Sequence, residues 1–268
     1  MTSLSASIDR IAAMALRYWY LLRGSWPRII DIIYWPTVQM IMWGFLQTFV
    51  AEKSGFFATA FGILIGAVML WDVLFRSQIS LSISFFEEIW SRNLGHLMVS
   101  PLRPTEFITA MIIMSLVRTI IGLFPATILS IWFFGFSIYD LGLGLVAYFF
   151  NLAIFGWAIG LAVSGIILRF GMGAENLAWA FTFGLAPFCG VYYPVEILPA
   201  WMEVVSAGLP PAYIFEGMRS VLIDQTFRTD LIVTAFALNA VFLAGGIAFF
   251  LAMLRQARQR GVLLQIGE

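Results

Sequence analysis

The chain has 268 residues, 61% of them hydrophobic and only 11% charged, with a mean hydropathy of +0.93. A soluble domain carries roughly 25% charged and 45–50% apolar residues, so this chain cannot cover its own surface in water and reads as an integral membrane protein. Fifteen basic and fifteen acidic side chains leave no net charge, which argues against a nucleic-acid partner; one cysteine, Cys189, and one histidine, His96, exclude an internal disulfide and a zinc site.

At the N-terminus, Leu4, Ile8, Ile11, Ala15, Tyr18 or Trp19, and Leu22 recur at three- and four-residue spacing, with Arg10 and Arg17 on another face. The pattern predicts an amphipathic helix in the membrane interface, within residues 1–28, although Met14 and Leu21 spoil its polar face. Asp9, Arg10, Arg17 and Arg23 interrupt any apolar run of a cleaved signal peptide. After a break at Gly24-Ser25-Trp26-Pro27, a first span is predicted over about 29–50, kinked at Pro36. Glu52-Lys53-Ser54-Gly55 reads as a short turn, and a second span over about 56–75 leads to a polar island, residues 84–106, SFFEEIWSRNLGHLMVSPLRPTE.

The island holds Glu87, Glu88, Arg92, His96, Arg103 and Glu106 in an otherwise apolar sequence, with Pro101 and Pro104 at its far end. Such a charge concentration is either a solvated loop or a docking surface for a soluble partner, and a short helix is expected within 84–100. A third span follows over about 107–134, a fourth over 141–168, a tight turn over 169–175 and a fifth span over 176–192. The stretch 193–230 is apolar but broken by Pro194, Pro199, Pro210 and Pro211. It reads as a re-entrant pair of short helices, starting near Pro199 and Pro211. A sixth span over about 231–254 ends at Arg255, Arg258 and Arg260. The fold class is therefore all-α integral membrane, with six transmembrane helices.

With the N-terminus inside, eleven arginines fall on the cytoplasmic side against Lys53, Arg219 and Arg228 outside, a clear positive-inside bias. Both termini and the island are then cytoplasmic. Arg118 is left within the third span, about 16 Å deep at ~1.5 Å per residue. An unpaired charge there costs about 2.5–3.5 kcal/mol even on the lenient insertion scale. Arg118 is expected to face the protein interior and to pair with Asp72, with Glu87 or Glu88 as second choice. Backbone carbonyls or water in a cavity are the alternative partners.

The single lysine, Lys53, closes no G-x-x-x-x-G-K-[ST] loop, and no G-x-S-x-G accompanies His96, so neither a Walker A site nor a serine hydrolase is legible. Gly171-Met172-Gly173 and Gly245-Gly246 suit helix turns and close helix packing. Trp35, Trp43, Trp71, Trp132, Trp157 and Trp179 lie in or near spans, as interface anchors and packing groups or as lining for an amphiphile's path.

Three local runs carry a family resemblance. Leu94 to Glu106, LGHLMVSPLRPTE, resembles E-x-L-x-x-S-P-L-x-x-x-E. Tyr193 to Trp201, YPVEILPAW, resembles P-x-E-x-L-P-x-W. Leu209-Pro210-Pro211-Ala212-Tyr213 followed by Glu216-Gly217-Met218-Arg219 resembles N-P-x-x-Y-x-x-E-x-x-R, with Leu209-Pro210 where Asn-Pro is common. In their order these resemble the permease subunits of ABC transporters of the type-2 exporter family, over essentially the whole chain.

The resemblance implies a single permease domain over 1–268, pairing with a second permease copy as a homodimer in the bacterial inner membrane. Two cytoplasmic ATP-binding cassette subunits hold ATP and magnesium, so this chain has no cofactor of its own and is not itself an enzyme. It implies that the loop over 84–106 forms a coupling helix, with Glu87, Glu88, Arg92 and His96 as ATPase contacts, and that residues 1–28 form a membrane-surface elbow. The outer stretch over 193–230 becomes a gate carrying Pro194, Glu196, Pro199, Trp201, Tyr213, Glu216 and Arg219. Substrates of the family are amphiphiles: drugs, lipids, lipid-linked glycans, polyketides. An importer permease fits poorly, because the island only faintly echoes its E-A-A-x-x-x-G loop. A secondary transporter or a membrane-embedded enzyme without an ATPase partner are the rival readings; they require paired broken helices or a polar cluster at one depth.

Overall fold

The computed structural model describes residues 4–53 and 62–261, and every regular element among them is helical. In chain order these are α1 (Leu4–Arg23), α2 (Trp26–Lys53), α3 (Ile63–Trp90), α4 (Leu94–Val99), α5 (Pro104–Phe134), α6 (Leu143–Phe170), α7 (Leu177–Leu185), α8 (Ala200–Ala207), α9 (Pro210–Asp224) and α10 (Thr229–Gln259). Helices α2, α3, α5, α6 and α10 are long and apolar enough to cross a membrane, whose hydrocarbon core is about 30 Å thick. Four of them overlie the first, third, fourth and sixth expected spans.

The other two spans need correction. Residues 176–192, expected as a fifth span, form only α7 and a 3-10 turn at Ala186–Phe188. The apolar helical stretch Leu177–Phe188 covers only ~18 Å at ~1.5 Å per residue, so the described residues hold five long apolar helices rather than six. The second span is displaced. Its expected start at Phe56, and Ser54 and Gly55 of the expected turn, lie outside the described residues, while α3 runs through Phe75 and on to Trp90.

Burial explains the displacement. The most apolar window of α3 is 94% buried, against 17% for α2, because α2, α5, α6, α7 and α9 all pack around it. A helix that meets other helices instead of lipid can carry Ser77, Gln78, Ser80, Ser82, Ser84, Glu87 and Glu88, all buried. Several of its polar groups are answered by its neighbours. Ser115 Oγ of α5 donates to the Ser77 carbonyl (2.8 Å) and accepts from Trp157 Nε1 of α6 (3.0 Å). Thr182 Oγ1 of α7 donates to Gln78 Oε1 (2.7 Å). Gln47 Oε1 of α2 accepts the Leu64 and Ile65 amides at 3.1 and 3.2 Å, filling donors that the first turn of α3 would leave orphaned. Between α6 and α10, Asn239 Nδ2 donates to both the Asn151 carbonyl and Asn151 Oδ1, at 2.9 Å each.

Apolar transfer supplies no drive between helices already in lipid, so close backbone approach and such bonds carry the packing. Gly156 of α6 lies against α3, where a Cβ would stand 2.6 Å from the Leu74 carbonyl oxygen and 3.0 Å from the Gln78 amide. Gly246 of α10 is equally confined, 2.7 Å from the Ala158 carbonyl oxygen.

Helix α1 departs from its expected faces. Met14, Tyr18 and Leu22 are buried against the bundle, whereas Leu4 and Ile8 are exposed. Met14 therefore belongs to the packed face, and α1 lies along α5.

Gly156→Leu is expected to destabilise the protein by about 1–3 kcal/mol or to prevent assembly, as overpacking against fixed backbone does. Gly173→Ala, where an added Cβ would have nothing within 4 Å, is expected to be neutral. Thermal unfolding of the two purified variants, followed by size-exclusion fluorescence, checks the pair.

Candidate functional site

At the end of the bundle where α3 stops and α5 begins, three buried carboxylates gather the arginines of other helices. Glu87 and Glu88 sit in the last turn of α3 and Glu106 in the first turn of α5, 6%, 0% and 4% exposed. Arg28 Nη1 of α2 donates to Glu87 Oε1 at 2.9 Å, and Arg118 Nη2 of α5 to Glu87 Oε2 at 3.2 Å. Arg17 of α1 pairs with Glu88, whose other oxygen accepts from Asn93 Nδ2 at 2.7 Å. Arg10 grips Glu106 through Nε (2.8 Å) and Nη2 (2.5 Å), and Ser7 Oγ donates to the same carboxylate at 2.7 Å. Glu106 Oε2 also accepts the Arg103 amide at 2.9 Å, so it caps α5 behind Pro104 at the helix start.

Arg10 and Arg17 thus point into the bundle, not into solvent, alongside Met14 and Tyr18. Burial, and then the Glu88 charge, hold the Tyr18 hydroxyl well above its ordinary pKa, keeping that side chain neutral within the network. The network ties α1, the start of α2, the end of α3 and the start of α5 into one unit.

Two expectations change as a result. Glu87 and Glu88 are internal ion-pair partners rather than surface contacts, because the last turn of α3 aims them at arginines of α1, α2 and α5. The expected Asp72–Arg118 pair is not formed; Glu87, the second choice, is the partner. Arg118 is buried, as expected, but its Nη1 donates to Ser84 Oγ (3.2 Å) and the Ser80 carbonyl (3.4 Å) and its Nη2 to Glu87. The long side chain extends along α3 toward its end, away from Asp72. Asp72 Oδ1 is buried without a hydrogen bond.

Beyond Trp90 the chain turns through Arg92, which takes a left-handed φ of 52°, into α4. Leu94 is buried, and Arg258 Nη2 of α10 approaches the Met98 sulfur at 3.0 Å. Arg92, His96 and Val99 are exposed, Val99 by 90%.

At the opposite end, the strap before α8 is held by α9. Glu216 Oε1 accepts the Val195 amide (2.9 Å) and Arg219 Nη2 (2.7 Å), while Arg219 Nη1 donates to the Gly190 carbonyl (2.8 Å). Tyr213 Oη donates to the Ala207 carbonyl at 2.7 Å, tying α9 back to α8. Pro194 is half-buried, whereas Glu196, Pro199 and Trp201 are exposed; Trp201 meets Phe188 edge-on with centroids 6.1 Å apart. Among the sequence-predicted outer residues, Glu216 and Arg219 therefore bond each other and the backbone of the strap, while Tyr213 separately ties α9 to α8.

A cavity of about 540 Å³ opens between α2, α3, α5 and α7, lined by Arg28, Asp31, Arg76, Glu87 and Arg118 among aromatic side chains. Arg76 lies midway along α3, 8% exposed.

The ABC-2 type transporter family matches residues 16–223. The chain belongs to that family. It is accordingly an integral, multi-pass permease component of ABC transporters, a class that works with ATP-binding cassette partners. No curated protein matches the chain as a relative. The family match begins within α1 and ends within α9, so it takes in the arginine–carboxylate network except Ser7 and Arg10, together with Tyr213, Glu216 and Arg219.

A double-mutant cycle separates the pairings of Arg118. Removing one member of a buried pair costs about 3–5 kcal/mol. Glu87→Gln and Arg118→Gln are therefore expected to couple strongly in thermal unfolding, whereas Asp72→Asn and Arg118→Gln are expected to add. Additivity for the first pair contradicts this network.

Proposed function

We propose that the chain is the permease subunit of an ATP-driven exporter, forming with a second copy of itself the path for an amphiphile such as a drug, a lipid or a lipid-linked glycan. ATP and magnesium are bound in two separate cytoplasmic cassette subunits, and this chain carries no catalysis. The whole of 1–268 acts as one permease domain in a bacterial inner membrane, with α1, α4 and both termini on the cytoplasmic side. The positive-inside count of arginines supports that orientation.

The observation that carries the reading is the two-sided character of α4. One side is anchored, through buried Leu94 and the Asn93–Glu88 bond. The other presents Arg92, His96 and Val99 at the surface, an apolar spot flanked by cationic and imidazole groups that suits a cleft in a soluble partner. A push on α4 passes directly to Glu88, and from there to α1 through Arg17 and to α3 itself. Glu87 and Glu88 serve this reading from inside, as the mount for the coupling helix. In the outer stretch, α8 and α9 form a lid in which Tyr213, Glu216 and Arg219 hold Pro194, Glu196, Pro199 and Trp201 at the mouth of the path.

Arg92→Glu combined with Val99→Asp is expected to reduce co-purification of the cassette subunit at least about tenfold, the effect of losing one or two central contacts. The unfolding temperature should stay at its wild-type value, because neither residue is buried. Undiminished co-purification and ATP hydrolysis in that variant contradict the assignment of α4.

A further inference from the structure

The cavity between α2, α3, α5 and α7 contains a charge with no acceptor. Among the described residues, the Arg76 guanidinium makes no hydrogen bond and no ion pair; its Nε is fully buried without a partner, and the side chain is 8% exposed. It lines the cavity. Its stem runs over Gly122 of α5, where a Cβ would stand 3.2 Å from Arg76 Cδ and 2.8 Å from the Ile32 carbonyl oxygen. The absent side chain at Gly122 is what lets α2 and Arg76 close over this point.

Two of the three carboxylates nearby, Glu87 and Asp31, have hydrogen-bond partners other than Arg76. Glu87 is shared by Arg28 and Arg118. Asp31 accepts Trp35 Nε1 at 3.2 Å and makes no hydrogen bond to Arg76. Asp72, one turn away on α3, is within electrostatic reach of Arg76 but makes no hydrogen bond to it and does not line the cavity, so the donors that face the cavity are left without an acceptor. Three guanidiniums and two carboxylates thus face the space. Its remaining wall is apolar: Phe75 packs against Trp179 and Phe183, with ring centroids 5.4 and 5.5 Å apart, and Trp35 closes the α2 side.

We propose that this cavity binds an anionic amphiphile, its phosphate or other oxyanion head accepting from Arg76 and its apolar chain lying on the aromatic wall. A guanidinium offers planar paired donors to an oxyanion, and a site this dry makes an unfilled donor costly until an acceptor arrives. The proposal deepens the transport reading by naming the charge of its substrate, and it rests on that reading only for the step of translocation.

The test uses the full chain without cassette subunits, in phosphatidylcholine nanodiscs, so that it stands apart from ATP coupling. Bromododecyl phosphate and bromododecyl trimethylammonium are compared as quenchers of tryptophan fluorescence. The phosphate probe is expected to act at about tenfold lower concentration, the worth of a charge-assisted hydrogen bond. Arg76→Gln should erase that preference, Arg76→Lys should keep it, and Asp31→Asn should enlarge it. Trp179→Ala should weaken both probes while leaving their ratio unchanged. Equal quenching in the wild type, or a ratio untouched by Arg76→Gln or Asp31→Asn, overturns the proposal. Complete competition by inorganic phosphate at the concentration of the probe also overturns it, by assigning the site to a free ion. Binding with the expected ratio in a complex whose ATP hydrolysis ignores bromododecyl phosphate supports the site and counts against the transport reading alone.

Discussion

Buried carboxylates at the end of α3 are the constraint on which the rest of this structure depends. A carboxylate withdrawn from water is tolerated only when paired and hydrogen-bonded, so Glu87 and Glu88 dictate that arginines come to them. Arg17 arrives from α1, Arg28 from α2 and Arg118 from α5. Glu106 repeats the arrangement one helix away with Arg10. The position of α1 follows: with two arginines committed on its inner face, it lies against α5 and presents Leu4 and Ile8 outward.

The same helix links the two functional regions. α3 is continuous from Ile63 to Trp90, so the anchor of α4 at Glu88 and the unfilled guanidinium of Arg76 are twelve residues apart on one rod, ~18 Å at ~1.5 Å per residue. Under the proposed coupling role, a displacement of α4 would reach the cavity through backbone rather than through a chain of side-chain contacts. Gly156 brings α6 close against the backbone of α3, and Gly122 brings α2 close against α5 beside the Arg76 stem.

Much of this was legible in the sequence, and the failures share a cause. Apolar runs located α2, α5, α6 and α10 because none of those helices carries a run of buried polar side chains as dense as that of α3. α3 was misplaced because its surroundings are protein, so serines, Gln78, Arg76 and the two glutamates read as a loop. The charges of the island were recognised, and Glu87 was the second choice for Arg118, but the partners on α1 and α2 were not: Arg10 and Arg17 recur seven residues apart on one helical face, a spacing that looks like a polar surface unless the acids opposite are known. Depth alone suggested Asp72 for Arg118, whereas the direction in which a long side chain extends selected Glu87. The outer motif residues Glu216 and Arg219 carried their signal in spacing, three apart on a helix, but their targets, the Val195 amide and the Gly190 carbonyl, are backbone groups that no sequence pattern displays.

The central claim is that α1, the end of α3 and α4 move as one body. Spin labels at Ala13 on α1 and Ser100 after α4, both exposed, measure it by pulsed dipolar spectroscopy in the assembled complex. The account predicts one narrow distance distribution that is the same with and without nucleotide, and a broadened one in Glu88→Gln. A wild-type distance that shifts with nucleotide while Glu88→Gln stays narrow contradicts it.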